Sequence, residues 1–155
     1  MHTMPMTPTF FATSRARLAD VRAGLERFPH AVGQLLFRLA VGSVFMKAGL
    51  TKIASWETTV ALFRDEYAVP LFSPEIAAVM AATFELGCSA LLIVGLATRL
   101  ATLPLLGMLA VIQLFVYPQA WSEHLVWGSI LLMLLTRGGG AISLDHLIAR
   151  RFTRE

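Results

Sequence analysis

The stretch from Leu100 to Ser122 contains no charged residue. A helix needs about 20 consecutive apolar residues to cross a hydrocarbon core of about 30 Å, and this stretch supplies them. Three further runs approach that length. Ala31 to Ile53 is interrupted by Arg38 and Lys47, and Pro74 to Ala97 has one internal charge, Glu85. Trp121 to Thr136 is shorter. Apolar residues make up 56% of the 155-residue chain and charged residues 15%, with a mean hydropathy of +0.66. A soluble domain of that composition would lack the polar surface to cover itself. A soluble enzyme, a disulfide-stapled domain and a disordered tail are thereby excluded, and no recurring alternation of polar residues favours strands. The expected fold class is an all-α membrane protein, a four-transmembrane-helix bundle whose principal partner is the lipid bilayer.

Local punctuation agrees with the four runs. Ser73-Pro74-Glu75 reads as a helix start, with a hydroxyl N-cap, a proline where no N–H is needed and an acid near the positive end of the helix dipole. Gly95 and Thr98-Arg99 leave room for only a tight turn between the second and third runs, which makes them antiparallel neighbours. Pro118 and Gly138-Gly139-Gly140 read as stops. Arg15, Arg17, Arg22, Arg27, Arg99, Arg137, Arg150, Arg151 and Arg154 all fall on one side if the chain crosses four times. The opposite loops hold Glu57, Asp65, Glu66 and Glu123 against Arg64. The positive-inside rule then makes both termini cytoplasmic. It also accounts for the net charge of +3 and the pI near 9.6 without a nucleic-acid partner. The expected organisation is an N-terminal arm over residues 1–30, a transmembrane domain over 31–147 and a basic cytoplasmic tail over 148–155. No leader peptide is visible in the first thirty residues.

Two amphipathic stripes flank the spans. Leu18, Val21, Leu25 and Phe28 suggest an interfacial helix in the N-terminal arm. Trp56, Val60, Phe63 and Tyr67 suggest another on the outer side, a connector or a lid, broken by Val69-Pro70.

An ionisable group in the bilayer costs about 2.5–3.5 kcal/mol even on lenient scales and calls for a reason. At about 100° per residue, Arg38, Gly42, Phe45, Gly49 and Lys52 share one face of the first run and Lys47 lies opposite. Gly42 and Gly49 are expected to let another helix approach closely. Glu85, with Ala78, Ala82 and Ser89 on its face, is expected either to be protonated or to pair with Arg38 or Lys52. Gln113, Tyr117 and Trp121, with Glu123, His124 and Trp127, gather hydrogen-bonding and aromatic groups at the outer end. They form either an interfacial belt or a pocket for a planar, amphipathic ligand such as a quinone. Cys88 stands alone and reads as a packing residue. His2, Met4 and Met6 have soft-ligand spacing suited to Cu(I) but sit in a short tail, and no metal site is expected. No phosphate loop, Ser/His/Asp set or HExxH motif occurs, so no independent catalytic motif is present and no catalytic residue is assigned.

Arg38-Leu39-Ala40-Val41-Gly42 and Phe45-Met46-Lys47-Ala48-Gly49-Leu50-Thr51-Lys52, followed by Glu85-Leu86-Gly87, Leu91 to Arg99 and Gly138 to Asp145, together resemble the DoxX family of small four-helix bacterial membrane proteins. The Val116 to Trp121 stretch, with His124 to Trp127 and Asp145-His146, is similar to its HvfX-like subgroup, whose members tend to be encoded beside small copper-binding peptides. The resemblance implies an inner-membrane component of oxidoreductase systems. One branch is a subunit of a thiosulfate:quinone oxidoreductase, and another is associated with oxidative-stress proteins. It marks Arg38, Lys52, Glu85 and Arg99 as characteristic polar residues. The functional expectation is a membrane subunit of a redox or metal/oxidative-stress pathway, binding a quinone-like ligand and acting with protein partners or as a homo-oligomer. The alternatives are a non-catalytic anchor or assembly factor, and a small exporter of a peptide or metal complex.

Overall fold

The computed structural model describes residues 15, 17, 19, 22, 23, 29–70 and 72–152. The chain divides into two units, Met1–His30 and Ala31–Glu155. In the first, Arg15, Arg17, Ala19, Arg22 and Ala23 are helical. The stripe expected at Leu18, Val21, Leu25 and Phe28, and the His2, Met4 and Met6 set, lie outside the described residues.

The described part of the second unit is helical. Its elements are α1 (His30–Ala54), α2 (Trp56–Leu62), α3 (Pro74–Val94), α4 (Thr98–Val111), α5 (Trp121–Arg137) and α6 (Leu144–Phe152). π-helical turns extend α2 through Phe63–Tyr67 and α4 through Ile112–Val116. Three of these helices are long and apolar enough to cross a membrane: α1, α3 and α4 with its π turn. α5 is shorter, at 17 residues. The third apolar run stops as a helix at Val116 instead of Ser122. Pro118 lies in the turn that follows, where Ala120 N donates to Tyr117 O at 3.1 Å. The second run stops at Val94, where Gly95 takes a left-handed conformation (φ 74°) that closes the helix. α6 is a helix that the sequence reading did not foresee, and it carries the first residues of the expected basic tail.

Polarity is arranged in the opposite sense to a water-soluble fold. Arg38 and Glu85 are 1% and 3% exposed, while Leu100 and Leu114 are 68% and 69% exposed. In water that arrangement would desolvate charges and wet leucines; in lipid both terms favour it. Lys47 is exposed on α1, as its place opposite Arg38 requires. The interior is a contiguous apolar cluster in which Val41 and Phe45 of α1 meet Cys88 and Leu92 of α3, Leu105 and Leu109 of α4, and Leu131 and Leu134 of α5.

Two devices set the helix positions. Gly42 and Gly49 are buried where a Cβ would meet Ile93 Cγ1 at 2.9 Å and Leu86 Cγ at 2.8 Å, so α3 side chains seat directly on the α1 backbone. At the other device, the α3–α4 turn, Ala97 is left-handed (φ 48°) and offers no side-chain cap to α4. Asp145 supplies the cap from the start of α6. One carboxylate oxygen accepts from Ala97 N at 2.6 Å and the other from Thr98 N at 2.9 Å, while Asp145 N donates to Gly95 O at 2.9 Å. Ser73 caps α3 locally, accepting from Ile76 N at 3.4 Å.

Three outcomes follow for stability in detergent, read from thermal unfolding. Gly49→Ala overpacks α1 against α3, at a typical cost of about 1–3 kcal/mol, partly offset by the helix preference for alanine of about 0.5–1 kcal/mol; the net is a loss. Gly87→Ala, placed where a Cβ meets nothing within 4 Å, retains only the gain. Asp145→Ala removes the cap and costs about 1–2 kcal/mol; faster proteolysis in the loop between α5 and α6 is the accompanying sign.

Candidate functional site

α1, α3, α4 and α5, with the π turn after α2, surround a cavity of about 750 Å³, within the range of small-molecule and cofactor sites. Both π turns face it: Phe63 and Tyr67 come from one, Ile112 and Val116 from the other. In each, a backbone N–H reaches five residues back, Ala68 to Phe63 at 3.1 Å and Tyr117 to Ile112 at 2.8 Å. The widened turn changes the direction of the side chains that follow, as is common at functional sites. Pro104 and Gly107 thin the α4 wall. The lining is mainly apolar, with Phe45, Met80, Phe84, Met108 and Trp127 among its larger members.

Polar groups enter this wall at two places. At the first, Lys52 Nζ lies 2.7 Å from Glu85 Oε1. The pair forms because Gly49, one turn before Lys52, lets Glu85 Cβ come within 3.0 Å of where a Gly49 Cβ would stand. Thr59 Oγ1 donates to Lys52 O at 2.9 Å and ties the end of α1 to α2. Glu85 Oε2 is buried without a protein partner, and Glu85 itself borders the cavity. Arg38, the other partner considered for Glu85, is elsewhere. Fourteen residues of α1 separate it from Lys52, about 21 Å at 1.5 Å per residue. Its Nη2 donates to Ile142 O at 2.6 Å, and Nε and Nη1 are buried without partners. Arg38 therefore stands outside the cavity, and the three-residue cluster resolves into a pair and a separate arginine.

The second polar point is His124, 7% exposed at the start of α5. Gln113 Nε2 donates to Pro118 O at 2.8 Å, which turns the amide oxygen toward His124 Nδ1 at 2.6 Å. An amide oxygen only accepts, so Nδ1 carries the proton and Nε2 is the acceptor of the neutral ring. The ring packs beside Trp127, with centroids 5.8 Å apart, and Trp127 meets Phe45 edge-on at 6.2 Å. Gln113 thus serves the site by orienting His124 from behind. Trp121 is 59% exposed and is not part of the lining; Trp127 takes the place expected of it.

Tyr117 completes the aromatic mouth: its ring centroid lies 5.9 Å from that of Tyr67, which in turn lies 5.0 Å from Phe63. Its hydroxyl donates to Glu66 Oε1 at 2.6 Å. That bond first, then partial burial, pushes its ionisation well above the ordinary phenol range, so Tyr117 is a fixed donor and not a base. The stripe Trp56, Val60, Phe63 and Tyr67 signalled this region in the sequence, but nothing there linked Glu66 to Tyr117. Arg99 lies at the other end of the bundle, where Nη2 donates to Thr136 O at 3.2 Å.

Comparison with curated proteins and with solved structures finds no match. The model of the DoxX family matches residues 33–118. That is more than half of the chain, from the first turns of α1 to the turn beyond the second π segment. It takes in Arg38, Lys52, Glu85, Arg99, Gln113 and Tyr117. With three helices long and apolar enough to cross a membrane, the chain belongs to the DoxX family of membrane proteins.

Proposed function

We propose that the chain is a membrane subunit that binds a quinone-type ligand in the α1–α5 cavity and serves a redox or metal/oxidative-stress pathway together with protein partners or further copies of itself. The observation that carries this reading is an apolar, aromatic-lined cavity of about 750 Å³ interrupted by the Lys52–Glu85 pair and by His124. A quinone ring is flat and apolar, with an oxygen at each end. Lys52 Nζ is a donor for a ring carbonyl and His124 Nε2 an acceptor for a hydroxyl of the reduced form, while a turn of the Glu85 side chain brings Oε2, buried without a partner, to accept from the other hydroxyl. Phe45, Phe84 and Trp127 are apolar surfaces for the ring. A bound quinone would supply two-electron, two-proton chemistry; this chain's residues hold it, exclude water and exchange protons at Glu85 or His124.

In this reading α5 is the fourth crossing of an inner membrane, and both termini are cytoplasmic. The Arg99 end then faces the cytoplasm and the Tyr117–Glu66 end faces outward, as the distribution of arginines favours. Residues 31–147 are the membrane domain, 1–30 an arm and 148–155 a basic tail.

Trp127 provides the test, because a quinone bound against it quenches its fluorescence. Titration of the purified protein with a short-chain ubiquinone should saturate, and Trp127→Phe should remove most of the quench. Glu85→Gln and His124→Ala should each weaken binding by about tenfold, a lost hydrogen bond to a charged or polar group being worth about 1–2 kcal/mol. Glu85→Gln also leaves Lys52 without its partner, so Lys52→Met/Glu85→Gln separates binding from folding. If the double variant melts below the parent yet binds as tightly, the pair is helix glue and the chain is an anchor or assembly factor.

A further inference from the structure

The end of the bundle remote from the cavity carries a second concavity, of about 590 Å³, between the α3–α4 turn and the loop joining α5 to α6. Gln34, Arg99, Arg137 and His146 line it above Thr98 and Asp145. Asp145 is the acidic residue of this lining, and both its oxygens are taken by Ala97 N and Thr98 N. Arg99 spends one N–H on Thr136 O, and neither Arg99 nor Arg137 has an acidic partner among the described residues. Beneath the lining, Thr98 is fully buried and its Oγ1 has no partner. Two arginines against one carboxylate leave the cleft with net positive charge.

Its surroundings are apolar. On α6, Leu144, Leu147, Ile148 and Phe152 are exposed, at spacings that place them along one face, and Arg150 and Arg151 follow the same helix. On α4, Leu100 and Leu103 are exposed immediately after Arg99. A short helix with an apolar face and a basic face lies in the plane of a membrane surface. Basic pockets at that level attract anionic headgroups.

We propose that this cleft binds the headgroup of an anionic phospholipid, with the phosphate held by Arg99 and Arg137, the acyl chains along Leu100 and Leu103, and α6 bedded in the adjoining leaflet. The occupant is a lipid and not a soluble anion, because the charged cleft continues directly into exposed leucines at the depth of the acyl chains. A guanidinium pair suits phosphate through charge-assisted, forked hydrogen bonds. This site is independent of the quinone reading: it uses none of the cavity residues and lies at the other end of α1.

The test uses the full chain in a neutral detergent, titrated with phosphatidylglycerol or phosphatidylcholine and read by native mass spectrometry. Each arginine near a membrane surface favours an anionic lipid by about fivefold, so a preference of about thirty-fold for phosphatidylglycerol is expected. Arg99→Gln/Arg137→Gln should reduce it to about threefold or less, and Arg99→Lys/Arg137→Lys should retain most of it. Because Arg99 also holds Thr136 O, Arg137→Gln alone provides a milder variant; it should lose about fivefold of the preference with an unchanged melting temperature. Equal binding of the two lipids to the parent chain, or full preference in the double glutamine variant, overturns the proposal. So does inorganic phosphate binding as tightly as phosphatidylglycerol, which would make the cleft a site for a soluble anion.

Discussion

A carboxyl group halfway along a bilayer-spanning helix reaches neither surface, and the placement of α3 against α1 follows from how Glu85 is accommodated. Desolvating an isolated carboxylate costs several kcal/mol, which an ion pair recovers only when its geometry is close and its remaining atoms are satisfied. Lys52 provides the close contact at 2.7 Å. Gly49 makes that contact geometrically available, and Thr59 anchors the backbone from which Lys52 projects. Glu85 Oε2 nevertheless has no protein partner. A second donor would satisfy the carboxylate fully, so the pair is incompletely satisfied where it borders the cavity.

The helix packing and the polar pair act on each other. Small residues on α1 and α3 bring the backbones together, and close backbones bury whatever lies between them. Ala78, Ala82 and Ser89 on the Glu85 face are all buried, so the acid has little freedom to turn toward lipid. At the other end, Arg38 is held by the Ile142 carbonyl in the loop before α6, and Asp145 of α6 caps α4. The residues following α5 therefore belong to the fold of the bundle: they supply an acceptor for the buried arginine and the missing cap of a helix that begins with left-handed Ala97.

Much of this was legible in the residues. Apolar length located the helices, three of them long and apolar enough to cross a membrane, although the third run overran its helix by six residues; helical periodicity placed Arg38, Gly42, Phe45 and Gly49 on the buried face of α1 and Lys47 on the exposed one. The choice between Arg38 and Lys52 as partner of Glu85 was not legible, because it depends on the relative axial position of two helices and not on either helix alone. Gln113 and His124 stood out as polar residues in apolar surroundings, but their hydrogen bond and the tautomer it selects depend on the turn at Pro118. Trp121 and Trp127 are both aromatic and lie at similar depth; which of them faces inward is decided by where α5 begins. The π turns left no local signature, since one inserted residue per turn does not disturb composition. Asp145 was visible as part of a motif, but its role as a cap on α4 is a contact across more than forty residues.

The two polar sites are separated by a closely packed apolar layer. Leu92, Leu105, Leu131 and Leu134 are all fully buried, and Val41 and Phe45 complete the layer from α1. Ser89, one turn after Glu85, and Thr102 are the polar side chains buried beside this layer. The same layer keeps Arg38 from competing with Lys52 for the carboxylate, which leaves each cation to a different task. One packed core thus carries an apolar cavity bordered by Lys52, Glu85 and His124 at one end and a cleft lined by Arg99 and Arg137 at the other.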